Sequence, residues 1–140
     1  PSGAQATVQG VFHPSYRSLQ AQAAQMLGQQ NLSIIKGGGG EFERHPSKDT
    51  VVVGLRAGTH IQATATHLPQ DIRRLHEARD EIDLHSLWHG TSGDPFTVAT
   101  ITGTAALALW TLKAAPTLAQ ADQMARTLWA TRHNVESLSA

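Results

Sequence analysis

The chain contains no cysteine. That excludes a disulfide framework and any thiolate metal site, and it fits a cytoplasmic origin. It also lacks an excess of either charge, since eleven Lys and Arg balance eleven Asp and Glu. Long-range attraction to nucleic acid or acidic membranes is therefore not written into the net charge, and any basic site must arise from local clustering. Charge of both signs is scarce, at 16 % of residues against a usual ~25 %. With 40 % hydrophobic residues, this is a globular composition rather than a solvated tail. No apolar stretch approaches the ~20 residues of a membrane span. Internal repeats are absent as well. At 140 residues the chain suits a single domain, 1–140, long enough to bury ~68 % of the surface its unfolded form exposes. It opens Pro1-Ser2-Gly3 without an initiator Met, which reads as a piece of a longer protein.

What the chain does have is four consecutive glycines, Gly37–Gly40, directly after Leu32–Ile35 and Lys36. Glycine reaches positive φ without penalty and lets another backbone or a ligand approach closely. A strand ending in such a run, with Lys36 before it and Glu41, Glu43 and Arg44 after it, has the make-up of a polyanion cleft. The same run also serves as a plain flexible loop. It is neither a P-loop nor a dinucleotide fingerprint, because both need a helix N-terminus immediately after the glycines. Arg44-His45-Pro46 opposes a helix there. Phosphate contact would come from backbone N–H groups in a nest and from Lys36, Arg44 or Lys48.

The flanking pattern is α/β. Thr7–Phe12 reads as a strand, and Pro14 suits a helix's first turn. Leu19, Ala23, Met26 and Leu27 recur on one helical face, with Gly28 at the C-terminal end. Leu32–Ile35 is a second, wholly apolar strand but for Ser33. Strand, helix and strand at this spacing make a βαβ unit with a parallel, buried pair and a right-handed crossover. Thr50–Val53 and Thr59–Thr66 form a hairpin about a turn from Gly54 to Gly58. Leu68–Arg79, with Arg73, Arg74 and Arg79, fits a helix or a loop. Asp80–His89 reads as a short helix with Leu84, Leu87 and Trp88 inward. Pro95 opens a longer helix to about Lys113, with Val98, Ile101, Ala105, Leu109 and Leu112 as its stripe. Thr117 and Gln120 make a capping box for the last helix, whose apolar face is Leu118, Ala121, Ala125, Leu128 and Trp129.

Other constellations are weaker. Glu41 and Glu43 share a face at ~6.6 Å on an extended segment, so that a Mg²⁺ with bridging waters could join them; solvated carboxylates beside Arg44 or Lys48 are the plain alternative. Phe42 between them suits base stacking or burial under its own loop. Glu81, His85 and His89 recur every four residues, but three positions over two turns cover ~12 Å, too far for one ion. His13 and His45 precede prolines and read as turn residues, while Trp110 and Trp129 read as packing residues. No Ser-His-Asp or Cys-His arrangement is present.

These residues resemble a known family. Val8-Gln9-Gly10-Val11-Phe12-His13-Pro14-Ser15-Tyr16, Met26-Leu27-Gly28 and Leu32–Ile35 look like the later part of anthranilate phosphoribosyltransferase. The run Lys36-Gly37-Gly38-Gly39-Gly40-Glu41-Phe42-Glu43-Arg44 is similar to that of the TrpD-related YbiB-type proteins. Leu87-Trp88-His89-Gly90, Ile101-Thr102-Gly103-Thr104-Ala105 and Leu128-Trp129 continue the likeness.

The resemblance implies the C-terminal α/β portion of a nucleoside-phosphorylase/phosphoribosyltransferase-type domain of the glycosyl transferase family 3 superfamily. An N-terminal helical domain and the phosphoribosyl-pyrophosphate loop would lie upstream, and a homodimer would form through that missing part. The enzymes hold a second Mg²⁺ with an adjacent Asp-Glu pair. Here Glu41 takes the first position and Phe42 the second, with Glu43 as a metal ligand only if the protein is enzymatic. The likeness therefore implies a sequence-independent binder of DNA or RNA backbone, with phosphate contacts at Lys36, Gly37, Gly38, Gly39, Gly40, Arg44, Lys48, Arg73 and Arg74. The alternative is a Mg²⁺-dependent phosphoribosyl or glycosyl transferase acting on an anthranilate-like acceptor.

Overall fold

The computed structural model describes residues 3–37, 42–68, 83–91 and 93–134. Strand β1 (Thr7–Gly10) leads to helix α1 (Tyr16–Met26) and strand β2 (Leu32–Ile35). Strands β3 (Thr50–Arg56) and β4 (Thr59–Ala65) follow. Helices α2 (Leu84–His89), α3 (Pro95–Thr111) and α4 (Leu118–Ala130) precede a 3-10 turn at Arg132–Asn134. The fold is α/β, a mixed four-stranded sheet in the order β1-β2-β3-β4 with flanking helices. β1 pairs parallel with β2, and β2–β3 and β3–β4 pair antiparallel.

The parallel pair follows from the βαβ spacing, and β2 is buried along its whole length, as an apolar strand covered on both faces should be. Alternation along β2 divides the core. Leu32 and Ile34 join Val11, Leu55, Ala21 and Ala24 beneath α1. Ile35 joins Val52, Ala65, Ala106, Leu107, Trp110, Ala121 and Ala125 beneath α3 and α4. Ser33 on that second face bonds the hydroxyl of Thr111 at 2.6 Å, and Thr111 bonds the Leu107 carbonyl at 2.6 Å. Both buried hydroxyls are thereby satisfied.

The hairpin forms, but its turn is tighter than the Gly54–Gly58 expected. β3 runs through Gly54 to Arg56, and only Ala57 and Gly58 turn, at φ +51° and +75°. Two consecutive positive φ values are the two-residue turn that matches strand twist. Gly54 is a strand residue for a steric reason. A Cβ there would stand 1.8 Å from the Leu32 carbonyl oxygen, so glycine lets β3 approach β2. Arg56 then ties the end of β3 to the far helix. Its guanidinium lies 4.9 Å from the Trp110 ring centre and bonds the carbonyls of Trp110 and Ala115.

β1 is shorter than the Thr7–Phe12 strand expected: the ladder ends at Gly10, and Phe12 is exposed. The apolar stripes read on the two long helices are not the faces that pack most deeply. On α1 the residues facing the sheet are Ala21 and Ala24, while Leu19, Ala23, Met26 and Leu27 are exposed. On α3 the buried set includes Phe96, Ala99, Ala106, Leu107 and Trp110; of the expected stripe, Val98 and Leu109 are half-buried, with Leu109 packed on the core, while Ile101, Ala105 and, just past the helix, Leu112 are exposed. α3 has no charged residue at any of its positions, so its apolar pattern does not single out a face.

In α2, Leu87 is buried but Leu84 and Trp88 are exposed. Residues 80–82 of the helix expected from Asp80, and all of 69–79, lie outside the described residues. α4 is capped by Thr117, whose hydroxyl accepts from the Gln120 amide at 3.2 Å. The Gln120 side chain bonds the Thr117 hydroxyl rather than its N–H. Ala121 and Ala125 are buried, whereas Leu128 is exposed. No helix among the described residues is long and apolar enough to cross a membrane.

Candidate polyanion site at the strand ends

β1 and β2 run parallel and finish side by side, with the Val11 amide donating to the Ile35 carbonyl at 2.9 Å. Lys36 and Gly37 therefore leave the sheet at the carboxyl end of the parallel pair. Because β3 is antiparallel to β2, its first residue, Thr50, lies at that same end, opposite Ala65 of β4. Lys48, exposed and two residues before Thr50, falls there too. Arg17 of α1 reaches the same end, donating to the Val51 carbonyl at 3.0 Å. The topology thus gathers Lys36, Gly37, Lys48 and Arg17 at one edge, although Arg17 comes from another element.

Arg44 holds this edge together rather than facing a ligand. Its side chain is 0 % exposed, against the expectation of a phosphate contact. Nη1 donates to Asp122 Oδ1 at 2.6 Å, and Nη2 donates to Asp122 Oδ2 at 3.3 Å and to the Thr66 carbonyl at 2.7 Å. The Arg44 amide donates to the Thr104 hydroxyl at 3.1 Å. A guanidinium taken out of water needs such a bidentate carboxylate; here α4, α3 and the residue after β4 supply partners for both Nη atoms and the amide, while Nε is left without one. The loop that follows is fastened to the segment after β4, since Leu68 donates to the Pro46 carbonyl at 2.7 Å. His45, read as a turn residue, does accept from the Ser47 amide at 3.1 Å, and its ring also packs edge-on against Phe96.

Asp49 is the acidic member of the edge. Both the backbone amide and the ring of His67 bond its Oδ1, at 2.8 and 2.9 Å. The His67 side-chain hydrogen bond, followed by the backbone one, holds the Asp49 carboxyl below its ordinary range. This contact leaves Lys48 without Asp49 as its ion-pair partner in the structure.

Gly38, Gly39, Gly40, Glu41, Arg73 and Arg74 lie outside the described residues. Glu43 and Phe42 are exposed. His85 and His89 stack at 4.1 Å between ring centres, and His133, which spacing gave no reason to include, adds a third ring 6.2 Å from His89. Among the described residues no group of three His, Cys, Asp or Glu is arranged to hold a metal ion. Trp110 is a packing residue as expected. Trp129 meets Trp88 edge-on at 5.9 Å, with the Arg132 guanidinium 4.3 Å from its ring centre. A cavity of about 580 Å³ beside α3 and α4, walled by Leu68, Pro95, Val98, Trp129 and Arg126, touches none of the described sequence-derived site residues.

Asp122 is the residue that sequence reasoning missed. Its signal is faint: one acid one position past Ala121 on the buried side of α4, 78 residues from the arginine it holds. No protein-family model matches this chain, and no curated protein matches it.

Proposed function

We propose that the intact protein binds the phosphate backbone of DNA or RNA without reading bases, at the end of the sheet where the parallel strands finish. The observation that carries this reading is the convergence of Lys36, Gly37 and Lys48 at the carboxyl ends of β1 and β2. In α/β sheets ligands sit outside the carboxyl ends of the strands. Glycine backbone admits a phosphate closely, and two lysines supply charge where the net charge of the chain is zero. The likeness of Lys36–Arg44 to the YbiB-type run supports the same assignment. In this reading the chain is the C-terminal α/β part of a TrpD-related, phosphoribosyltransferase-type domain in the cytoplasm. Arg44 and Asp122 hold the far side of the loop in place, and Arg73 and Arg74, outside the described residues, are further candidate contacts.

The test is fluorescence anisotropy with mixed-sequence single- and double-stranded oligonucleotides across a salt series. Lys36 and Lys48 together contribute about −1.8 to the slope of log affinity against log salt on duplex DNA, or about a twelvefold fall between 50 and 200 mM. Lys36→Ala/Lys48→Ala removes that part of the slope equally for every sequence. A flat salt response in the parent chain, or an unchanged slope in the variant, refutes the proposal. Phosphoribosyl-pyrophosphate turnover abolished by Glu41→Ala would assign the transferase reading instead.

A further inference from the structure

Helix α2 is short, yet it is held at both ends and from outside. Asp83 caps its start, accepting from the His85 amide at 3.0 Å, and Gly90 closes it at φ +76°. Leu87 is its buried anchor. Arg132 of the 3-10 turn donates to the carbonyls of Trp88 and Leu87 at 2.6 and 3.3 Å, and Trp88 meets Trp129 of α4 edge-on. His85 and His89 thus stand on a fixed turn of backbone, and both are exposed. Four residues apart, they share one face of the helix, the arrangement in which two helical histidines bind one zinc ion. A two-member set escapes the length limit that rules out Glu81, His85 and His89 together.

The two rings already face each other, with 4.1 Å between centres and 32° between planes. His89 Nδ1 lies 2.9 Å from the His85 carbonyl oxygen. A carbonyl only accepts, so Nδ1 carries the proton, and the neutral ring keeps its lone pair on Nε2. That is the form which ligates a metal, and a hydrogen bond on the other ring nitrogen is what fixes it in metal-ligating histidines. We propose that His85 and His89 chelate one divalent transition-metal ion of the nickel, copper or zinc class, with water filling its remaining positions. Imidazole nitrogen suits these ions, whereas Mg²⁺ and Ca²⁺ take oxygen ligands. The chemistry therefore differs from that of the Mg²⁺ pair expected at Glu41 and Glu43. Arg132, the cation that braces the helix, directs its N–H groups to the carbonyls of Leu87, Trp88 and Trp129. His133 adds a ring 6.2 Å from His89, but it completes no three-residue metal set among the described residues, so the chelate has two protein ligands. Metal uptake is measured with the ion alone and is independent of the phosphate reading.

The experiment is isothermal titration calorimetry of the 140-residue chain with NiCl₂, at metal concentrations up to about 1 mM. One Ni²⁺ should bind per chain. His85→Gln and His89→Gln should each weaken binding by about tenfold or more. The double variant should lose little beyond either single, because one imidazole left alone does not chelate. His133→Gln and His13→Gln/His60→Gln, at exposed rings outside the pair, should change the affinity by less than about threefold. Thermal unfolding gives a second readout. Excess Ni²⁺ should raise the melting temperature of the parent chain but not of His85→Gln or His89→Gln, since the one-turn spacing exists only in the folded state. A parent chain that takes up no Ni²⁺ overturns the proposal. So do single variants that each halve the stoichiometry at unchanged affinity, which would mean two separate sites. A loss on His133→Gln as large as that on His89→Gln, or displacement of Ni²⁺ by equimolar Mg²⁺, overturns it as well.

Discussion

Removing Asp122 should be among the most damaging single substitutions in the chain. The Arg44 side chain is fully buried and that of Asp122 is 12 % exposed, so Asp122→Ala strands a guanidinium charge in the interior with the Thr66 carbonyl as a remaining close acceptor. Breaking a buried pair from one side costs about 3–5 kcal/mol, against a total stability of roughly 5–15 kcal/mol for a domain. At about 2–4 °C per kcal/mol for this size, the melting temperature should fall by roughly 10 °C. Arg44→Met keeps the apolar stem and leaves Asp122 near enough to the surface to hydrate, so it should cost about 1–3 kcal/mol. The double variant Arg44→Met/Asp122→Leu should then cost clearly less than the sum of the two singles. Urea unfolding followed by circular dichroism measures all three, and the losses should be nearly independent of added NaCl because the pair is shielded from ions. Additive effects in the cycle, or a cost below about 1 kcal/mol for Asp122→Ala, would refute the account of Arg44 as a buried strut.

Gly54→Ala places a methyl group 1.8 Å from the Leu32 carbonyl oxygen. It must push β3 from β2, with a loss of several kcal/mol (about 3 or more), where an exposed strand glycine would tolerate alanine; thermal unfolding reads this directly. Hydrogen bonds from His67 depress the Asp49 pKa in the folded state, so the stability they contribute is present above the ordinary Asp value of about 3.9 and is lost as pH falls through the lower folded value. The urea midpoints of the parent chain and Asp49→Asn should therefore differ most near neutrality and converge below about pH 4. A gap that widened on acidification would contradict the His67–Asp49 assignment.

Much of the architecture is legible in local pattern. Thr7, Val8 and Leu32–Ile35 separated by a helix-length segment imply a parallel pair, and such a pair is what forms. The proline that opens α3 and the threonine that caps α4 act within one turn of themselves, so they can be read without the fold. The candidate site is half legible. Lys36, Gly37 and Lys48 stand near one another in sequence, but only the antiparallel return of β3 brings Lys48 back to the strand ends. Arg44 looked like one more cation of the cluster because its partner lies 78 residues away on α4.

The amino-acid order by itself determined the kinds of elements, their succession and most of their ends, because helix and strand periods, caps and turn residues act over a few positions. Which side of each helix is buried was left to the tertiary structure. Leu19, Ala23, Met26 and Leu27 mark an apolar face of α1 in any context, yet the sheet took the Ala21–Ala24 side, and glycine at position 54 let two backbones close to contact. Periodicity reports that a face exists. Shape and charge pairing between distant segments decide what it touches.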